Sequence, residues 1–255
     1  MHRRKVIKGL MALAGSAGAG RLLAQDAAPS ATGAGSCRLI SQDVTGPFHT
    51  EQYLERSNLM DGQKGVPLTL NFHVRDVLTC NPLAGAKVLI WHANNEGHYS
   101  GVENLMLNAD GTAQEGMLDL RDETFCRGMQ TSDKQGRVQF VTSFPGWYFP
   151  RTTHIHLKVY PPGFGEVATT QLYLRNENCD EVYATKNYRH RGPNPTRRNP
   201  GDESGIFSYD EGDLWLNIVK DAGGYAATHE LGVIFYGGMF GELPDYYRPG
   251  LSGAG

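Results

Sequence analysis

The stretch Leu68-Thr69-Leu70-Asn71-Phe72-His73-Val74 places an apolar residue at every second position. Successive side chains of an extended strand point to opposite faces, so this is the pattern of a strand with one buried and one solvated face; a helix needs apolar spacings of three and four. The same period recurs in Val138-Gln139-Phe140 and in Ile155-His156-Leu157-Lys158-Val159. Further strands are expected at residues 171–174, 214–218 and 231–235. Val88-Leu89-Ile90-Trp91 is apolar without interruption, as in a strand covered on both faces. Turn signals lie between these runs: Asn81-Pro82, Asp110-Gly111, Asp133 to Gly136, Pro161-Pro162-Gly163 and Gly223-Gly224. About seven strands with irregular connections and no internal repeat indicate an all-β domain, a sandwich or a barrel. Helix signals are weak, and residues 51–60 carry the best of them. Residues 187–205 are rich in Arg, Pro and Gly and read as a long surface loop.

Composition excludes several classes. Of 255 residues, 40% are hydrophobic and 10% aromatic, too many for a disordered chain. The 32 Gly and 13 Pro favour turns over long helices. No apolar run approaches the ~18 residues of a membrane-spanning helix, and a net charge of −3 offers nothing to nucleic acid.

Residues 1–25 read as an export signal: a basic start containing Arg3-Arg4-Lys5 and Lys8, a mildly apolar Ala/Gly-rich stretch, then small residues at Ala24, Ala27 and Ala28. The Arg3-Arg4 pair is similar to a twin-arginine signal. Residues 26–36, rich in Ala, Gly, Ser and Pro, read as a linker. The chain's 24 Lys and Arg include five in this leader (Arg3, Arg4, Lys5, Lys8, Arg21) and its 27 Asp and Glu include none, so its removal moves the net charge from −3 to −8. The expected location is periplasmic or extracellular, with no membrane association after processing. In an oxidising compartment Cys37, Cys80, Cys126 and Cys179 allow one or two disulfides in any of three pairings.

The chemistry-bearing segment is Pro145-Gly146-Trp147-Tyr148-Phe149-Pro150-Arg151-Thr152-Thr153-His154-Ile155-His156. Two histidines two apart on a strand share a face, while Ile155, Leu157 and Val159 turn to the other. Such a pair can hold one metal ion, or it can be merely exposed or structural. Tyr148 lies six residues upstream, and a second tyrosine, Tyr99, follows the buried run in Trp91-His92-Ala93-Asn94-Asn95-Glu96-Gly97-His98-Tyr99-Ser100. A phenol, with its pKa of ~10, ligates at neutral pH only when a strongly acidic cation such as Fe(III) favours the phenolate.

Taken together, Arg127-Gly128-Met129-Gln130-Thr131-Ser132-Asp133 with Gly136, Val138 and Phe140, then Pro145-Gly146-Trp147-Tyr148, Arg151 and His154-Ile155-His156, resemble the intradiol ring-cleavage dioxygenases. Thr45-Gly46-Pro47-Phe48, Pro82-Leu83-Ala84-Gly85-Ala86, Ile90-Trp91-His92 and Gly97-His98-Tyr99-Ser100 extend the resemblance from about Cys37 to Tyr236. It is greatest to the short, exported, single-domain type. Cys126 stands where the family has leucine. The resemblance implies an antiparallel β-sandwich over residues 37–255 with long active-site loops and little helix. It also implies a non-haem Fe(III) held by Tyr99, Tyr148, His154 and His156, with hydroxide as fifth ligand, Tyr148 and His156 axial, and Tyr99 and His154 equatorial. Tyr148 would also accept a substrate proton on leaving the metal. Arg151 would stabilise negative charge developing on the ring or on the oxygen adduct, and Gln171 would supply a hydrogen bond nearby. Thr45, Gly46 and Pro47 would line the substrate pocket. The implied reaction opens a catechol-type ring between its two hydroxyls with O2, giving a muconate-type dicarboxylic acid. Two other readings compete. A His-x-His zinc or Fe(II) enzyme leaves both tyrosines idle, and a non-catalytic exported β-sandwich binding module leaves all four residues idle. Which catechol is used and how the chain assembles stay open.

Overall fold

A computed structural model describes residues 37–108, 112–197 and 213–236. The expected leader 1–25, the linker 26–36, the Asp110-Gly111 turn, residues 198–205 of the expected loop and the end of the domain beyond Tyr236 lie outside the described residues.

Among the described residues there are ten strands and one α-helix. The strands are β1 (Pro67–Asp76), β2 (Lys87–Trp91), β3 (Glu103–Leu107), β4 (Ala113–Asp119), β5 (Arg127–Thr131), β6 (Arg137–Ser143), β7 (His154–Tyr160), β8 (Ala168–Tyr173), β9 (Ile218–Asp221) and β10 (Gly224–Val233); α1 spans Asn176–Tyr183. They form two four-stranded sheets, ordered β6-β1-β10-β9 and β5-β2-β7-β8, and a separate β3-β4 hairpin. The alternation read in β1 is observed: Leu68, Leu70, Phe72 and Val74 are fully buried. They join Phe140 of β6 and Leu231 of β10 on one side of a single core, and Val88, Ile90, Ile155, Leu157 and Val159 from the other sheet close it. This is the sandwich alternative. Every ladder is antiparallel except β1 with β10, which pair in parallel from Leu68↔Tyr225 to Asp76↔Val233.

β2 accounts for its unbroken apolar run. Val88 and Ile90 enter the main core, while Leu89 and Trp91 belong to a second cluster with Ala93, Tyr99 and Met129 on the outer face of the sheet. That outer face carries the candidate site.

Two expectations are corrected. Residues 51–60 form no helix. Their backbone groups pair instead with strands: Arg56 N–H donates to the Met129 carbonyl, Met129 N–H to Leu54, Leu59 N–H to Val141 and Val141 N–H to Ser57. Leu59 alone of the stretch is fully buried, so there is no apolar stripe for a helix to bury, and tertiary pairing decides. Residues 214–218 are not one strand. Trp215 makes a single bridge to Tyr173, and β9 begins only at Ile218. Leu214, Trp215 and Leu216 are buried because this segment crosses from one sheet to the other, not because it extends a ladder.

Cys37 and Cys80 form a disulfide closing a separation of 43 residues, and Cys126 and Cys179 are buried free thiols. Burial pushes the Cys126 thiol up to about 11 and the Cys179 thiol to about 12, so neither is a reactive thiolate. A thiol titration of the oxidised, folded protein is expected to find no reactive thiol. After denaturation without reductant it should find two. Two reactive thiols before denaturation would contradict the pairing.

Candidate metal centre

The ladder register sets the floor of the site. His156 of β7 lies opposite Trp91 of β2 on one side and Gln171 of β8 on the other, and His154 lies opposite Tyr173. Because Ile155, Leu157 and Val159 are committed to the core, both imidazoles project from the outer face. The Trp91 ring stacks on His156 at 4.8 Å and 4°, fixing the plane of that imidazole. Nδ1–H of His154 donates to the Thr152 carbonyl at 2.6 Å, which leaves the Nε2 lone pair bare toward the cluster.

Loops bring the two tyrosines over this floor. Asn104 holds the backbone of Tyr99 at both ends: its Oδ1 accepts from Tyr99 N–H at 2.7 Å, and its Nδ2 donates to the Tyr99 carbonyl at 2.8 Å. The Tyr148 loop is tied to the same region by Gly146, whose N–H donates to Asn94 at 3.0 Å. A β-carbon at Gly146 would collide with the carbonyls of Asn94 and Asn95, so the Pro145-Gly146 turn needs glycine to approach that closely. Asn94 Oδ1 in turn accepts from the N–H groups of Glu96 and His98.

The four sequence-identified donors converge. Tyr99 Oη lies 3.3 Å from His154 Nε2 and 3.2 Å from His156 Nε2; Tyr148 Oη lies 3.3 Å from His154 Nε2; and the two Nε2 atoms are 3.0 Å apart. Burial holds His154 down to about 3 and His156 well below its ordinary value, so both imidazoles are neutral, the form that binds metal. Burial raises both phenols above their ordinary range. The bare Nε2 of His154, the Nε2 of His156 and two phenol oxygens meeting at one point form a donor set that a multivalent cation would complete, the cation supplying what phenol ionisation lacks in a buried site. Among the described residues, no group of three or more His, Cys, Asp and Glu could hold a metal instead.

The second-rank residues also assemble. Arg151 Nη2 donates to Gln171 Oε1 at 2.6 Å, and Gln171 Nε2 donates to the Val44 carbonyl at 2.7 Å. Gln171, fully buried, thus links the arginine to the segment carrying Thr45, Gly46 and Pro47. Gly46, at φ +73°, lies against the His156 ring, and Phe48 stacks on Tyr99 at 4.4 Å. A cleft of about 290 Å³ opens above, walled by Pro47, Phe48, Trp147, Phe149 and Arg151 among others. Of the three expected pocket residues Pro47 lines it, and neither Thr45 nor Gly46 is among its lining residues. Of the four donors, only Tyr148 lines this cleft; Tyr99, His154 and His156 lie at most 3% exposed beneath it.

Reading the sequence alone missed Asn104, whose clamp on Tyr99 leaves no periodic signal, and Phe48, which had appeared only as part of a motif. Of the histidines near Tyr99, His92 is structural, with Nδ1 at 2.8 Å from the Ala93 carbonyl and Nε2 at 2.8 Å from Thr142 Oγ1. His98 lines the cleft.

Two histidines and two tyrosines thus converge on the outer face of one sheet of a β-sandwich. Residues 44–188, more than half of the chain, match the family described as Dioxygenase. The 6-chlorohydroxyquinol 1,2-dioxygenase of Cupriavidus pinatubonensis is 28% identical over 154 residues, 56% of this chain and 54% of that protein. The match therefore spans about half the length of that curated relative. The intradiol ring-cleavage dioxygenase of Tetranychus urticae superposes with a TM-score of 0.63 at 28% identity, covering 78% of this chain and 95% of that one. The dioxygenase domain of a carbohydrate-binding fusion protein from Streptomyces sp. SirexAA-E shares the fold, with a TM-score of 0.51 at 23% identity over 78% and 98% of the two chains. The chain belongs to the intradiol ring-cleavage dioxygenase family.

A β-carbon at Gly46 would lie 2.9 Å from His156 Cε1 on a left-handed backbone. Gly46→Ala is expected to cost roughly 1–2 kcal/mol in a urea melt through backbone strain and to weaken metal binding by displacing His156. Unchanged stability and metal affinity would show that this contact does not set the ring.

Proposed function

We propose that the protein is a non-haem Fe(III) intradiol dioxygenase that opens a catechol-type ring between its hydroxyls. The observation that carries this reading is the convergence of Tyr99, Tyr148, His154 and His156 within 3.0–3.3 Å beneath a cleft. These four residues would hold the iron. When bound, Fe(III) would act as the Lewis acid that takes the two deprotonated catechol hydroxyls and draws electron density from the ring toward reaction with O2. Both oxygen atoms end in the two carboxylates of the product.

The remaining work falls to the chain. Pro47, Phe48 and Trp147 present apolar surface to the faces of an aromatic ring. Tyr148, half-buried and alone among the donors in lining the cleft, is placed to take a hydroxyl proton on its phenolate oxygen as substrate enters. Tyr99, held through its backbone by Asn104, stays in place. Arg151, oriented by Gln171, directs its positive charge to the cleft wall, where it would stabilise charge that develops on the ring. The substrate is a catechol-type aromatic; the chlorohydroxyquinol of the curated relative's name adds hydroxyquinols to the candidates. Location outside the cytoplasm is part of the proposal, supported by the basic leader and by the Cys37–Cys80 disulfide.

Iron-loaded protein is expected to be coloured by tyrosinate-to-iron charge transfer and to consume O2 with at least one member of a panel of catechols and hydroxyquinols. Mass spectrometry should find ring opening between the hydroxyls. Opening beside them, or a colourless fully loaded protein, would sink the reading. Tyr148→Phe should bleach part of the colour and lower kcat, whereas a His-x-His zinc or Fe(II) enzyme would be indifferent to it. Arg151→Ala should retain iron and colour while kcat falls about a hundredfold or more.

A further inference from the structure

The metal reading puts negative charge on the Tyr99 and Tyr148 oxygens, and Arg151 faces that charge from the cleft. A second guanidinium lies within the fold. Arg127, the first residue of β5, is 1% exposed. Its Nη2 donates to the Ser100 carbonyl at 2.7 Å and to the Phe48 carbonyl at 3.0 Å, and its Nε is buried without a partner. Among the described residues no carboxylate pairs with it. The groups that bear on its charge are the Tyr99 phenol, the Cys126 thiol and, as a like charge, Arg56. Burial lowers the guanidinium to about 10, so it is still protonated near neutrality.

A desolvated cation without an anion is costly, and buried charges are ordinarily paired. Holding two carbonyls does not require one, since a neutral amide could do so. Both carbonyls, however, belong to the surroundings of Tyr99: Ser100 follows it in the chain, and the Phe48 ring stacks on it. The guanidinium without a carboxylate partner is therefore fastened to the Tyr99 segment, and the Tyr99 phenol and Arg127 act on one another electrostatically. We propose that Arg127 is a positioning residue of the metal centre, a fixed buried counter-charge for the Tyr99 phenolate that also fastens the Phe48 and Tyr99 loops together. The proposal rests on the two-tyrosine metal reading above and goes beyond its four donors.

The test compares wild type with Arg127→Lys, Arg127→Gln and Arg127→Met. Each is measured for thermal unfolding without iron, for the visible charge-transfer band, and for the rate at which a chelator strips Fe(III). The neutral variants are expected to lose iron roughly ten- to a hundredfold faster, the usual scale for groups that support metal ligands. Their band should move to longer wavelength as the phenolate loses a stabilising cation. Arg127→Lys, which keeps the charge, should recover most of both effects. Equal losses in the Lys and Gln variants, or wild-type iron retention in a folded neutral variant, would overturn the proposal. Failure of the iron-free Lys variant to fold along with the neutral ones would make Arg127 a clamp alone and overturn it too. If only Arg127→Met fails to fold, the Lys and Gln comparison decides. A colourless, iron-loaded wild type would bring down the metal reading and this inference together; a coloured wild type with indifferent variants would bring down this inference alone.

Discussion

The floor of the site, on which the rest is built, depends on the two-residue period of β7. Ile155, Leu157 and Val159 are fully buried between the sheets, and their commitment leaves His154 and His156 no face but the outer one. A slip of one residue would send the imidazoles into the apolar core and three aliphatic side chains into the site. The free energy of core packing thus fixes the direction of the two imidazoles, and the neighbouring strands refine it. Trp91 from β2 stacks on one flank of His156, and Gln171 from β8 lies opposite it on the other. The side chains of the site's floor are arranged by the same register that assembles the sheet.

The tyrosines obey a different constraint. They sit on loops, where no ladder dictates direction, and their placement is enforced by local hydrogen bonds and close approach. Asn104 fixes Tyr99 at its backbone, Gly146 brings the Tyr148 loop against Asn94, and Arg127 joins the Phe48 and Ser100 carbonyls. Arg191 supports the far side, with its guanidinium 4.2 Å over the Trp147 ring and donating to the Trp147 carbonyl. The histidines are thus held by burial of their neighbours and the tyrosines by polar contacts of theirs.

This division explains what the sequence disclosed. Strands with apolar residues at every second position, such as β1 and β7, were legible because the core-facing side chains impose that period; in β7 the outer face, expected to be solvated, is buried as well. The four candidate ligands were named by the family resemblance, since the His-x-His spacing and the two tyrosines alone left exposed or structural roles open. The hairpin β3-β4 was not legible, because it lies apart from the core and β4 is almost wholly exposed, so no apolar period marks it. Residues 51–60 misled for the complementary reason: pairing with β5 and β6 is a long-range event that local propensity does not encode. The parallel β1-β10 pair joins segments some 150 residues apart and leaves no local trace. Asn104 could have been suspected only as a polar residue five positions after a candidate ligand.

The walls of the cleft come from residues 47–48, 96–98, 104–105, 147–151 and 191, and none of these lies in the eight strands of the two large sheets. Two of the four donors, by contrast, sit on β7 at the centre of the molecule's stability. Apart from Tyr148 and Arg151, to which the proposed function gives roles, the cleft walls and the imidazole pair therefore lie on different parts of the chain. Substitutions at the other cleft-wall positions can accumulate without disturbing the sandwich or the imidazole pair, so lineages that share this scaffold can diverge in the surface they offer a ligand while the pair stays in place.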